Sequence, residues 1–153
     1  MKRIGAPLLL LLLLLFLLLP AAAQNFPLDK PFKVISISGY EVAKIGMTLK
    51  VASQDGQLVA SGHAGCNGWT ATAMIRDEQI DLTEIVTTKK FCGAPRMKSE
   101  EAFLTSLRSA HRWRLDDKGR LILEGDAARL LLTAGGVEAP AEKKAAKKPN
   151  MPK

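Results

Sequence analysis

Short stretches of alternating apolar and polar residues recur along the middle of the chain. This period of two is typical of strands that bury one face, so each stretch is predicted to form a β-strand. An Asp-Gly pair at 55–56 separates two of the stretches and predicts a hairpin there. The predicted strands cover residues 32–38, 47–53, 58–63, 69–75, 79–85, 113–115, 120–123 and 129–133.

One segment among these strands has a helical period instead. Pro95 suits the first turn of a helix. The apolar residues that follow fall on one helical face, namely Met97, Phe103, Leu104, Leu107 and Ala110. A single helix among many short strands predicts an α+β fold. We expect a curved antiparallel sheet or partly open β-barrel with one helix packed against it.

The first 23 residues have the pattern of a signal peptide. Lys2 and Arg3 precede an apolar block at 8–19, and three alanines at 21–23 predict cleavage before Gln24. The alternative is an uncleaved anchor, but twelve helical residues reach only about 18 Å, short of a hydrocarbon layer of about 30 Å. No cysteine lies near the cleavage site, so a lipoprotein is not expected. The mature protein is predicted to be periplasmic or secreted, in a bacterium.

Residues 137–153 are rich in Lys, Ala and Pro, a composition that predicts a disordered basic tail. Of the formal net charge of +7, only about +2 belongs to residues 24–136, which are expected to form a single domain. This balance argues against a nucleic-acid partner, and the length argues against a multidomain enzyme. The tail could contact an anionic envelope surface electrostatically, or it could only solubilise the chain.

Cys66 and Cys92 are the only two cysteines, an even pair in a chain that is expected to be exported. A disulfide bond between them is therefore the favoured interpretation. It would close a loop of about 27 residues and contribute roughly 3.5 kcal/mol in the chain-entropy model. The alternative is two buried thiols that pack as small apolar side chains. A catalytic dithiol is not expected, because the chain has no Cys-x-x-Cys motif.

The residues around Cys66 are typical of a tight turn. Gly65, Asn67 and Gly68 tolerate a positive φ, and an asparagine side chain can satisfy the exposed amides of such a turn. We therefore interpret these three residues as structural. A ligand-recognition loop is the functional alternative.

No catalytic residues, metal site or cofactor are predicted, so the protein is not expected to be an enzyme. His63 and Cys66 could form a metal pair with Met97 and His111 as distant ligands, and copper would fit these ligand types. Their spacing matches no recognised ligand pattern, and the chain has no Gly-x-Ser-x-Gly motif. The alternative function is a periplasmic metal-binding or thiol-redox protein that uses Cys66, Cys92 and His63.

Several of these features occur together in a known order. A Gly-Cys-Asn turn at 65–67 is followed by a Thr-x-x-x-Cys element that ends at Cys92. A helix motif completes the pattern with Glu100, Glu101, Phe103, Leu104 and Leu107. In this order and spacing, residues 30–134 resemble the META domain, also called the HslJ-like domain after heat shock protein HslJ. The chain departs from the family pattern at Phe32, Ala71 and Ala73, and in its basic tail.

The resemblance implies an exported α+β protein associated with envelope stress or secretion, and it carries no catalytic residues. The fold that it implies is similar to that of pilot proteins, which hold a lipid or a peptide in a cracked barrel. We therefore expect a non-enzymatic interaction module with an envelope protein or lipid as its partner. Phe103 and Leu107 could line a groove for that partner, although core packing is an equal expectation for both.

Overall fold

The computed structural model describes residues 24–135, and the predicted signal peptide and basic tail lie outside this range. The helix is α1 (Ala94–Ser109), and no helix in the described range is long and apolar enough to span a bilayer. The strands are β1 (Phe32–Ile37), β2 (Tyr40–Glu41), β3 (Thr48–Gln54), β4 (Gln57–His63), β5 (Gly68–Arg76), β6 (Gln79–Thr87), β7 (Ala110–Leu115), β8 (Leu121–Gly125) and β9 (Arg129–Ala134).

The strands form one antiparallel sheet that closes on itself. From β3 to β9 each strand pairs with the next along the chain. β1 pairs with β3 on one side and with β9 on the other, so eight strands make a closed barrel. The short β2 pairs with β1 and extends the sheet outside this ring. The predicted α+β fold is confirmed, and the barrel closes where Val34 of β1 pairs with Leu132 of β9.

The barrel has its fewest paired residues between β6 and β7. Gln79 and Arg112 form the one pair in register there, and the Trp113 amide donates a hydrogen bond to the Glu78 carbonyl at 2.8 Å. The chain leaves the sheet between these two strands to form α1, which packs against β6 and β8. Contacts that fix the position of α1 therefore also stabilise the part of the barrel between β6 and β7, where few residues pair.

Alternate residues of the strands point inward and form a single core with the helix. On β5 the inward residues are Trp69, Ala71 and Ala73, so two of the departures from the family pattern are buried positions. Trp69 meets Phe103 of α1 edge to face, with ring centroids 5.9 Å apart. This aromatic pair joins the helix to the sheet directly across the core.

One predicted feature differs in the structure, and one strand was not predicted. Ala110, predicted on the helical face, is the first residue of β7. Its φ of −64° and ψ of 127° are extended, and it pairs with Gly125 of β8, so strand pairing ends the helix at Ser109. β2 was not predicted, because two residues are too few to show a period.

Gly62 lies where β4, β3 and the Trp69 side chain approach most closely. The Trp69 indole N–H donates to the Thr48 carbonyl at 3.2 Å, and a Cβ on Gly62 would overlap that carbonyl. We expect Gly62→Ala to lower the unfolding free energy by about 1–3 kcal/mol, the range for overpacking. Gly68 is the matched control, because its nearest neighbour to an added Cβ is 3.9 Å away. Urea unfolding measures both variants, and equal losses would contradict this close approach.

Candidate functional site

The turn between β4 and β5 has a backbone conformation that requires glycine. Gly65 has a φ of +102°, in the left-handed region that favours glycine. Its amide donates to Nδ1 of His63 at 3.1 Å, and the Ala64 amide donates to the Asn67 carbonyl at 2.7 Å. The turn is closed by these bonds, and it directs the amides of Cys66 and Asn67 toward the helix.

The side chain of Asn67 joins this turn to the segment before α1. Its Oδ1 accepts hydrogen bonds from the Lys90 amide at 2.7 Å and from the Thr88 hydroxyl at 2.8 Å. Its Nδ2 donates to the Lys90 carbonyl at 3.2 Å and to the Glu100 carboxylate at 2.7 Å. Two acceptor sites and two donor hydrogens are the full capacity of an asparagine amide. Asn67 is therefore fully committed to holding the segment in place.

Glu100 is a buried carboxylate, 4% exposed, on the first part of α1. One oxygen accepts from the Asn67 amide at 2.7 Å and from the Cys66 amide at 3.2 Å. The other oxygen accepts from Asn67 Nδ2. Burial of a charge is costly unless hydrogen bonds replace its hydration, and three donors do so here. The carboxylate thus ties the helix to the turn.

This role of Glu100 was not predicted, although the sequence holds a sign of it. Glu100, Phe103, Leu104 and Leu107 are spaced as i, i+3, i+4 and i+7, so the glutamate lies on the apolar face of the helix. A charged residue on that face must be paired or solvated. The partner could not be named from the sequence, because the turn is more than thirty residues away.

The structure joins Cys66 and Cys92 in a disulfide bond, with their Cα atoms 5.8 Å apart, as predicted. Cys66 is buried and Cys92 is exposed. The segment 88–93 is therefore attached to the β4–β5 turn through Thr88, Lys90 and the Cys92 sulfur. Three attachments within five residues leave this segment little conformational freedom.

Phe91 lies between the last two attachments, and its side chain is 81% exposed. Four exposed cations surround it in the sequence, and residues 88–99 contain no carboxylate. Within residues 24–135, none of the four cations lies within salt-bridge distance of a carboxylate. We call this set the Phe91 surface, and it consists of Lys89, Lys90, Phe91, Arg96 and Lys98.

Two cavities also open on the described part of the fold. The first, of about 810 Å³, lies beside the cross-strand row Lys50, Ser61, Thr70 and Val86. The second, of about 1090 Å³, lies where β6 and β7 pair least and is bounded by residues of both strands. Neither cavity contains a residue of the hydrogen-bond network around Glu100 other than Thr88, which borders the first.

Phe103 and Leu107, considered as groove residues, are both fully buried in the core. Their side chains fill the space between helix and sheet, so they do not line an open groove. His63 lies at the end of β4, where its Nδ1 accepts the Gly65 amide, while His111 is exposed on β7. Among residues 24–135, no three or more His, Cys, Asp or Glu side chains come together as metal ligands.

Glu100→Gln keeps the shape of this side chain but turns one acceptor oxygen into a donor that faces other donors. We expect it to lower the unfolding free energy by about 1.5–3 kcal/mol, the range for hydrogen bonds to charged groups. Glu101→Gln is the matched control, because the Glu101 side chain is 70% exposed. Urea denaturation measures both, and a Glu100→Gln variant as stable as the control would show that the tie is unimportant.

Comparison with known proteins places this architecture in a family. No curated protein matches the chain. A solved structure, the NMR structure of a protein from Burkholderia xenovorans, has a similar fold, with a TM-score of 0.60 and 20% sequence identity. The match covers 76% of this chain and 96% of that one. The family model of the META domain matches residues 25–136, which include all nine strands and the helix. The chain therefore belongs to the META domain family.

Proposed function

We propose that this META-domain protein is an exported, non-enzymatic interaction module that binds an envelope component through the Phe91 surface. The observation that carries the proposal is Phe91 itself, a large aromatic side chain held in solvent by a segment that is attached on both sides. Aromatic residues, including phenylalanine, are enriched at protein interfaces, where a few large side chains contribute most of the binding energy.

Because the segment is attached on both sides, binding through Phe91 costs little conformational entropy. A flexible loop must lose conformational freedom when it binds, and this loss weakens the complex. Here Lys90 is already fixed by Asn67, and Cys92 by the disulfide. The network orders this segment when the protein folds. Contacts made by Phe91 therefore contribute to affinity with little further loss of conformational entropy.

The chemistry of the site supports binding rather than catalysis. Glu100 accepts three hydrogen bonds, and the Asn67 side chain makes four. The polar groups nearest the Phe91 surface are thus engaged in holding the fold. The metal-binding alternative is not favoured, because both sulfurs are joined to each other and Nδ1 of His63 accepts the Gly65 amide. The thiol-redox alternative is not favoured, because Cys66 is buried and the chain has no Cys-x-x-Cys motif.

Export is supported by the signal-peptide pattern of residues 1–23 and by the disulfide bond, which persists in oxidising compartments. A role in envelope stress or secretion rests on the family resemblance. The partner is expected on the loop that carries Phe91 and not in a groove lined by Phe103 and Leu107, because both of those side chains lie in the core.

A photo-crosslinking amino acid placed at position 91 tests the proposal in the bacterium that encodes the protein. The full chain, exported from its own leader, carries p-benzoylphenylalanine in place of Phe91. Light-dependent adducts with an envelope component, either protein or lipid, are expected. The matched control carries the same amino acid in place of Tyr40, which is 79% exposed on β2. No adducts from position 91, or the same adducts from both positions, would contradict the proposal.

A further inference from the structure

We propose that the partner of the Phe91 surface is an anionic lipid bilayer, with Phe91 inserted at the interface and the surrounding cations attracted to the head groups. This inference rests on the proposed function and names the partner of the same surface. The membrane contact is made by the folded domain and is separate from any contact by the basic tail, residues 137–153.

The charge of the Phe91 surface is of one sign. Lys89 and Lys90 precede Phe91, and Arg96 and Lys98 follow it, while residues 88–99 hold no Asp or Glu. The nearest carboxylates beyond this segment on α1 are already engaged. Glu100 is buried against the turn, and Glu101 lies 3.6 Å from Arg108. Because Glu101 is paired with Arg108, only the buried charge of Glu100 on this helix opposes the four cations, and the surface keeps a net positive charge.

The beginning of α1 adds to this field. The N-cap position is Gly93, with no side-chain hydrogen bond to the first turn, and that turn contains no acidic residue. The free amides of a helix N-terminus carry partial positive charge. In this protein they lie in the same segment as Arg96 and next to the loop that carries Phe91. Helix and side chains thus contribute potential of the same sign.

The arrangement of the cations suits an extended surface better than a single acidic group. Arg96 and Lys98 are two positions apart on the helix, so their side chains do not point the same way. This spacing does not favour their convergence with Lys89 and Lys90 on one carboxylate. A charged bilayer requires no convergence, because its potential extends over a distance of about 10 Å and attracts exposed cations that point in different directions.

The apolar part of the surface also fits a bilayer. Phe91 is 81% exposed, and the residues after it, Cys92, Ala94 and Pro95, are exposed and uncharged. A protein partner would need a pocket of matching shape for this ring. The interface of a bilayer accepts an aromatic ring without one, while lysines extend their charged ends to the head groups. The combination of exposed ring and flanking cations therefore favours lipid.

Tryptophan fluorescence tests the insertion at one position. Trp69 and Trp113 are each 2% exposed, so the emission of the native protein should change little with vesicles. Phe91→Trp adds an exposed reporter to the full mature chain. With phosphatidylglycerol vesicles we expect its emission to shift to shorter wavelength and to be quenched by brominated lipid. With phosphatidylcholine vesicles, or in Tyr40→Trp as the matched exposed control, we expect neither change.

Charge reversal tests the electrostatic part. Lys89→Glu with Lys90→Glu should weaken binding to phosphatidylglycerol vesicles by about tenfold or more, since each cation near an anionic surface contributes separately. The matched control is Arg76→Glu with Lys118→Glu, which changes the net charge equally at exposed positions, at the end of β5 and in the turn between β7 and β8. All variants keep residues 137–153, so the contribution of the tail is the same in each. Equal weakening by both pairs would overturn the assignment of binding to this surface.

The two experiments separate the failure of this inference from the failure of the proposed function. No spectral shift of Phe91→Trp with anionic vesicles overturns the lipid partner, even if the protein sediments with them through its tail. Protein adducts from position 91 without that shift would leave an interaction module with an acidic protein as its partner. The absence of both adducts and shift would overturn both proposals. Circular dichroism of each variant verifies that these exposed substitutions leave the fold intact.

Discussion

A buried carboxylate fixes the helix that connects the two least paired strands of this barrel. Glu100 is removed from water, so its charge must be stabilised by donors within the protein, and the amides of Cys66 and Asn67 supply them. The dependence is mutual, because the turn also needs an acceptor for those amides. Since α1 is inserted where β6 and β7 barely pair, these bonds fix the helix to the turn between β4 and β5.

The disulfide bond and the polar network act on the same segment by different means. The disulfide restricts the unfolded chain, and in the chain-entropy model a loop of this length contributes roughly 3.5 kcal/mol. The hydrogen bonds to Glu100 act in the folded state, and a single bond to a charged group contributes about 1.5–3 kcal/mol. One such hydrogen bond is therefore similar in size to the contribution of the disulfide bond. Together they allow an exposed aromatic residue to remain in a defined position on a short segment.

Local features of the sequence predicted much of the fold. Alternation located the long strands, helical spacing located α1, and the even pair of cysteines identified the disulfide. Closure of the barrel through Val34 and Leu132 could not be predicted in this way, because a pairing between distant strands leaves no local pattern. The sparse pairing between β6 and β7 could not be predicted for the same reason.

The candidate site was predicted less completely, because exposure depends on what lies opposite a residue. From the sequence, Phe103 and Leu107 were equally compatible with a place in the core or in a groove. The structure shows both side chains buried, with the Trp69 ring packed against Phe103. Phe91 lies outside any periodic segment, so nothing in its neighbourhood marked it as exposed and fixed. The fixed position comes from Asn67, more than twenty residues earlier in the chain, together with the disulfide bond.

Amide hydrogen exchange, measured by NMR on the oxidised protein, tests the central role of the Asn67–Glu100 network most directly. The amides of Asn67 and Lys90 donate to side chains rather than to a strand partner. If the network is as stable as the barrel, both amides will exchange as slowly as those of the paired strands β4 and β5. Exchange of both at the rate of freely solvated amides would contradict the account, because the turn and the Phe91 segment would then open independently of the fold.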